Sequence, residues 1–390
     1  MSDPRVASVS LPTIAKEWGR IGITGFGGPP AHIALLRRLC VDDRGWLSAH
    51  EFEDGIAAVN LLPGPSSTQL SIFCAWRLRG VVGALVGGCC FIVPGLVLIL
   101  VLSVLFLAAH PPLWVEGAAA GAGAVVPAVA LQASLFLLPA SWRRTGAMRR
   151  GRARWVAYVL LGGVSAATVG PYLVVVLVVC GLAEVAARRR PADTTDGRAP
   201  VLVPVLAAAG TAGGLGALAW VAVKVGALSF GGGFVIIPLM QHDAVTTYHW
   251  MTGAQFLNAV ALGQITPGPV VQTVAVVGYA AAGIGGGLMA AAIAFAPSFV
   301  FVIAGGPHFD RMRRSAAIQA FLIGAGASAI GAIAGAAVPL ALALGHLWQL
   351  GLLAAAALWL LALRRGVVSA IVGAGLVGVV AALAGAPVGR

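Results

Sequence analysis

Long apolar stretches, separated by short segments rich in arginine, dominate the chain. The runs Val81–Ala109, Trp114–Pro139, Val201–Val223, Ala316–Leu344 and Val367–Ala386 each reach the ~20 residues that a helix needs to cross a bilayer. The two-residue alternation of a membrane barrel strand is not the pattern, so helices are expected to satisfy the backbone in lipid. The pattern predicts an all-α, polytopic membrane protein of about 10–13 helices, broken or re-entrant segments included.

Strong helix breakers recur inside these runs. GITGFGGPPAHI (Gly22–Ile33) and GALSFGGGFVII (Gly226–Ile237) both contain Phe-Gly-Gly, and each is followed by Pro-Gly-Pro. An offset of 204 residues pairs Gly22–Phe91 with Gly226–Phe295 without a gap. The matches include Phe26/Phe230, Gly27-Gly28/Gly231-Gly232, Trp46/Trp250, Phe52/Phe256 and Pro63-Gly64-Pro65/Pro267-Gly268-Pro269. Identities on residues this uncommon indicate a duplicated unit: a first repeat over 1–190, a linker over 191–200 and a second repeat over 201–390.

Composition sharpens this. Hydrophobic residues make up 59% and charged residues 10% of the chain, which carries a formal charge of +12. The arginines cluster in short loops, as the positive-inside rule requires, so the charge does not point to nucleic acid. Arg77 and Arg79 follow the first Pro-Gly-Pro helix, whereas Ala281 and Gly283 stand at the matching place. One helix later the bias reverses: LAAHPP is uncharged, and HFDRMRR carries Arg311, Arg313 and Arg314. Opposite bias in equivalent loops predicts two homologous halves in inverted topology. The loops SWRRTGAMRRGRARW and ARRRPADTTDGRA enclose Trp155–Val185, expected as a hairpin broken at Gly170-Pro171 with both basic loops in the cytoplasm. The five cysteines show no ligand or disulfide spacing and read as packing residues. No cleavable signal peptide is expected from the opening residues. No hydrolase, zincin or nucleotide-loop motif occurs, so neither an enzyme nor a cofactor or metal site is expected.

Breaking a helix in lipid orphans backbone groups at several kcal/mol each, tolerable only where protein or a water-filled cavity satisfies them. A helix that starts at such a break aims its N–H groups and positive dipole end into the cavity, which suits an anion. The competing explanation is that glycines pack helices closely and prolines kink them. Matched breaks in both halves favour a site formed by Phe26, Gly27, Gly28, Pro63, Gly64 and Pro65 with Phe230, Gly231, Gly232, Pro267, Gly268 and Pro269. Arg20 and Lys224 are paired by the same offset and are candidate cations for the anion. Lys224 interrupts an apolar run, where a charge costs at least ~2.5–3.5 kcal/mol, unless it snorkels to the interface. Asn60/Gln264 and Thr68/Gln272 pair as polar positions beside the breaks, joined by Ser66, Gln69 and Thr266. They serve either as ligands or as helix–helix hydrogen bonds worth ~0.6–2 kcal/mol. Glu51, Glu53 and Asp54 read as interfacial. Glu116 and Asp243 sit nearer apolar sequence and are candidates for carrying protons.

The segments GFGGPPAHIALLRR, RGWLSAHEFEDGIAAVNLLPGPSSTQL and SFGGGFVIIPLMQHDAV…WMTGAQFLNAVALGQITPGPVVQTVAVVGY resemble the chromate ion transporter family in its long, two-domain form. The resemblance implies a multi-pass inner-membrane carrier of two homologous halves that exports chromate on the proton motive force, with sulfate as a competing ion. It also implies that the Phe-Gly-Gly and Pro-Gly-Pro residues form the transport site. The halves differ after Gly-Gly, Pro29-Pro30 against Gly233-Phe234, so a strictly symmetric site is not expected. Uptake of sulfate or another oxyanion, and oxyanion binding without transport, remain as alternatives, and a homodimer is left open.

Overall fold

The computed structural model describes residues 9–60, 62–108, 110–145, 149–168, 173–188, 214–229, 236–306, 309 and 314–388. The expected site residues Phe230, Gly231 and Gly232, and the linker over 191–200, lie outside these. Every regular element among the described residues is helical.

The first repeat opens with α1 (Leu11–Thr24), which stops at Gly25. After the Phe-Gly-Gly break, α2 (Pro29–Arg37) runs into a π-helical turn, Arg38–Asp43. α3 (Ala49–Val59), α4 (Ser66–Phe106), α5 (Leu113–Arg144), α6 (Arg149–Thr168) and α7 (Leu173–Arg188) follow. The second repeat begins with α8 (Leu215–Leu228), α9 (Ile236–Gln241) and a π-helical turn, His242–Thr247. It continues with α10 (Gly253–Ile265), α11 (Thr273–Gly305), α12 (Ala316–Leu342), α13 (Leu347–Ala357) and α14 (Val367–Leu383). From α1 to the first π turn, each described boundary that recurs does so at the 204-residue offset. α3 and α10 both open with a capping box, Ser48/Glu51 and Thr252/Gln255, so these polar side chains close helix ends.

The gapless alignment fails just beyond Pro-Gly-Pro. Non-helical residues interrupt α4 at Arg79-Gly80 and α11 at Ala282-Gly283, and internal prolines fall at Pro94 and Pro297. Both pairs are 203 residues apart, so the second repeat lacks one residue, and a short 3₁₀ turn, Val270–Gln272, opens its helix. Gln272 therefore pairs with Gln69, not with Thr68.

At Arg79-Gly80 the chain reverses: a Cβ on Gly83 would meet the Ala75 carbonyl, and one on Gly88 would meet Ile72. The first limb of α4, residues 66–78, is about 20 Å long against a ~30 Å hydrocarbon core. It packs against α3, where Phe73 and Leu70 cover Gly55. α3, the Pro-Gly-Pro tip and this limb form a hairpin that enters and leaves on one side, and α10 with the first limb of α11 repeats it. The remaining limbs, with α5 and α12, are long and apolar enough to span.

Equivalent helices cross with opposite direction. Gly88 meets Phe299 and Gly287 meets Leu100, so α4 and α11 run antiparallel. The Ser134 hydroxyl donates to the Ile330 carbonyl at 3.1 Å where α5 crosses α12, and Arg144 shares a space with Leu322 while Ala119 shares one with Ala343, so these two also run antiparallel. The last helices interleave: α5 packs on α14 through Gly117, Gly121 and Gly378, and α12 packs on α6 through Gly331, Gly335 and Gly163. Small residues spaced by four let backbones approach closely where lipid supplies no hydrophobic drive. For these glycines, close packing is the whole explanation.

Candidate anion site

Each Pro-Gly-Pro tip is bonded to the opposite repeat. Gly64 N–H donates to the Ser229 carbonyl at 2.9 Å, and Gly268 N–H donates to the Gly25 carbonyl at 3.1 Å. Ser229 and Gly25 are equivalent residues, each immediately before Phe-Gly-Gly. The tips thus dock reciprocally on the ends of α8 and α1, satisfying donors that would otherwise be orphaned in lipid. Gly64 and Gly268 adopt φ of +125° and +105°, a region closed to other residues at acceptable cost. Gly95 of α4 lies against Pro267, and its counterpart Ser298 of α11 lies against Gly64.

Unpartnered polar atoms gather on the residues that form or abut these tips. Ser67 Oγ, Thr68 Oγ1, Gln69 Oε1, Ser229 Oγ, Gln272 Oε1 and Ser298 Oγ are buried without a hydrogen-bond partner among the described residues. Native proteins leave few such groups, so a cluster of them needs a physical reason. The amide nitrogens are used: Gln69 Nε2 donates to the Pro63 carbonyl at 2.6 Å, and Gln272 Nε2 donates to Ile92 of the other repeat at 2.9 Å. Thr266 Oγ1 is spent on the Leu262 carbonyl of its own helix. His32, which the apolar pattern gave no reason to single out, is fully buried in α2. Its Nε2 lies 2.8 Å from the Gly25 carbonyl; a carbonyl only accepts, so Nε2 carries the proton. Nδ1 is then a buried acceptor with no partner among the described residues.

Beside the first break opens a cavity of about 640 Å³. Gly27, Gly28, Pro29, Pro30 and Ile33 line it, with Asn60, Ser66, Gln132, Gln264, Val367 and Val368 and apolar residues of α5. The N-termini of α2, α4 and α14 therefore face one space, which concentrates positive dipole ends there. α2 contributes less than a break normally would, because Pro29 and Pro30 have no N–H and those of Ala31 and His32 bond to the Gly28 carbonyl. Gln264 Nε2 is buried and donates to nothing among the described residues. Of the paired positions, Asn60 and Gln264 meet here. The described lining residues include no charged side chain.

The expected cations are elsewhere. Arg20 is exposed and sits 3.7 Å from Glu17. Lys224 Nζ lies 2.5 Å from Asp243 Oδ2, both largely buried, and 5.8 Å from the centre of the Trp220 ring. Phe26 is exposed and does not line this cavity. Glu116 lines a separate recess of about 450 Å³ with Gln255, Asn258, His346 and Gln349. The repeat-related recess, about 170 Å³, is lined by Glu51, Asp54, Arg77 and Phe309. Glu51 and Asp54 stand where the other recess has the amides Gln255 and Asn258. The Ser48 main-chain N–H, with the Arg77 guanidinium paired to it, holds the Glu51 carboxyl below the usual carboxylate range. At these equivalent positions one recess thus carries an ion-paired carboxylate and the other carries amides.

The chromate transporter family model matches the chain twice, over residues 12–185 and 216–379. A chromate transport protein of Cupriavidus metallidurans is 32% identical over 332 residues, covering 83% of this chain and 80% of that protein. A probable chromate transport protein of Synechococcus elongatus is 28% identical over 340 residues, 85% of this chain and 84% of the relative. An uncharacterized transporter of Methanocaldococcus jannaschii is 26% identical over 324 residues, 76% of each. No solved structure matches. With long apolar helices, a duplicated broken-helix unit and family matches across both halves, the chain belongs to the chromate transporter family of multi-pass membrane proteins.

Proposed function

We propose that the chain exports chromate across the inner membrane, and that the oxyanion is held in the cavity between the two repeats. The observation that carries this is Gln264 Nε2, a buried N–H donor without a partner among the described residues, on the wall of a cavity that three helix N-termini face. Neutral donors and dipole ends suit a dianion that must bind and leave, since a fixed counter-charge would hold it too strongly. Asn60, Ser66 and the Gly27 and Gly28 main chain complete the set, with Phe230–Gly232 expected as the second repeat's share.

The halves, 1–190 and 201–390, are read as an inverted pair. The antiparallel crossings of α4 with α11 and of α5 with α12 support this, as does the reversed arginine bias of their loops. The basic ends of α5 and α7 are then cytoplasmic, and the Glu116 recess opens outward. A dianion leaving an interior-negative cell gains about 4.6 kcal/mol per 100 mV. The membrane potential, part of the proton motive force, therefore already drives export. Glu116 in the outer recess and Asp243 beside Lys224 are the proton-coupling candidates. Sulfate is a tetrahedral dianion too, and the uncharged lining offers no evident means of rejecting it.

Gln264→Leu keeps the volume and removes the donor. A hydrogen bond to a charged group contributes about 1.5–3 kcal/mol, so chromate flux into inside-out vesicles should fall about tenfold or more. Membrane abundance should be unchanged. Wild-type flux in that variant would remove the cavity from the pathway. Sulfate run in parallel separates a chromate carrier from a general oxyanion carrier.

A further inference from the structure

A second, narrower space of about 150 Å³ lies between α5 and α12. Asn60 and Leu137 line both this space and the large cavity, so the two share a wall. Its other end is marked by Ser141 and Arg144. Arg144 ends α5 and is exposed.

Most neighbouring cations are engaged, whereas Arg149 and Arg150 at the start of α6 are exposed and, among the described residues, make no ion pair but do not line this space. Arg154 and Arg188 pair with Glu184 at 2.8 and 2.6 Å. Arg143 donates to the Pro139 carbonyl, and Arg152 stacks over Trp142. Arg144 makes no ion pair among the described residues. The Ser141 hydroxyl accepts from Trp155 Nε1 at 2.9 Å, which leaves its own O–H free to donate.

We infer that this space is the inner access route for the carried oxyanion, with Arg144 collecting the ion at its mouth. The inference rests on the carrier reading above. From Gln132 in the cavity to Arg144 at the rim, α5 rises about 18 Å. Ser141 and then Asn60 lie between, and the remaining walls are largely apolar: Leu137, Leu322, Ile323, Ile330 and Ile333. A divalent anion is drawn to the unpaired guanidinium, passes the Ser141 hydroxyl and the Asn60 amide, and meets the neutral donors of the cavity. Arg144 is a capture residue, so it sets how readily the ion arrives rather than how it is held. Electrostatic steering of this kind raises association rates and weakens as salt screens the charge.

The test is initial-rate chromate uptake by inside-out vesicles carrying wild type, Arg144→Gln or Arg144→Lys, at low and high ionic strength. Arg144→Gln should raise KM about tenfold at low salt, leave kcat within about twofold and flatten the salt dependence. Arg144→Lys, which keeps the charge, should stay close to wild type. A merely structural role would lower kcat or abundance in both variants and leave the salt dependence of KM intact, overturning the proposal. So would an Arg144→Gln variant matching wild type at every salt concentration. Wild-type vesicles that moved neither chromate nor sulfate would instead overturn the carrier reading, and this route with it.

Discussion

Lys224→Ala should sharply reduce the amount of folded protein in the membrane, before any question of transport arises. Lys224 and Asp243 form a largely buried pair at 2.5 Å, and deleting one partner strands the other charge. Breaking such a pair typically costs about 3–5 kcal/mol, a large share of a domain's stability. Asp243→Asn should do the same more mildly, because an amide still accepts from the ammonium. The double variant Lys224→Met/Asp243→Leu should recover abundance, since well-packed apolar groups often replace a buried pair at little cost. Detergent-solubilised melting temperatures of the four proteins check this. If the double variant were as unstable as Lys224→Ala, the pair would be doing more than compensating itself. If it were stable but transport-dead, Asp243 would gain support as a proton carrier.

Gly95→Ala should be far more damaging than Ser298→Ala, although the two positions are repeat equivalents. A Cβ on Gly95 would lie 2.0 Å from the Pro267 carbonyl oxygen, and backbone cannot rotate out of the way. The helix would have to separate from the opposite tip, straining the Gly268–Gly25 hydrogen bond; overpacking of this kind costs about 1–3 kcal/mol. Ser298 already has a Cβ, and its hydroxyl is buried without a partner among the described residues, so removing the oxygen should be neutral or stabilising. Thermal stability and chromate flux, measured side by side, should drop together for Gly95→Ala and stay level for Ser298→Ala. Equal effects would mean that the two crossings are not built as described.

What the sequence disclosed was the recurrence of rare residues. Phe-Gly-Gly, Pro-Gly-Pro and the paired Trp and Phe positions stand out against an Ala, Val and Gly background, and they do mark equivalent elements. The missing residue after Pro267-Gly268-Pro269 is harder to see, because the two repeats there share little beyond small apolar residues. Gln69/Gln272, Gly80/Gly283, Pro94/Pro297 and Phe106/Phe309 reveal the shift, and they gain meaning once the chain reversal and the tip contacts are known. Pairing across the fold was hidden as well. Lys224 reads as a free cation until the π-helical turn at His242–Thr247 brings Asp243 to it. Gln132 and Arg144 sit within or at the end of an apolar helix, and only the packing of α5 against α12 and the tips gives them a cavity to line. Asn60 and Gln264 were legible because both the offset and their polarity pointed at the breaks.

The most direct test is the position of chromate bound to the purified protein, located by chromium anomalous scattering or by cryo-electron microscopy. The account expects the ion within hydrogen-bond reach of Gln264 and Asn60, beside Gly27 and Gly28 at the start of α2. Chromate found against Lys224, or only in the recess beside Glu116 with the cavity empty, would contradict it.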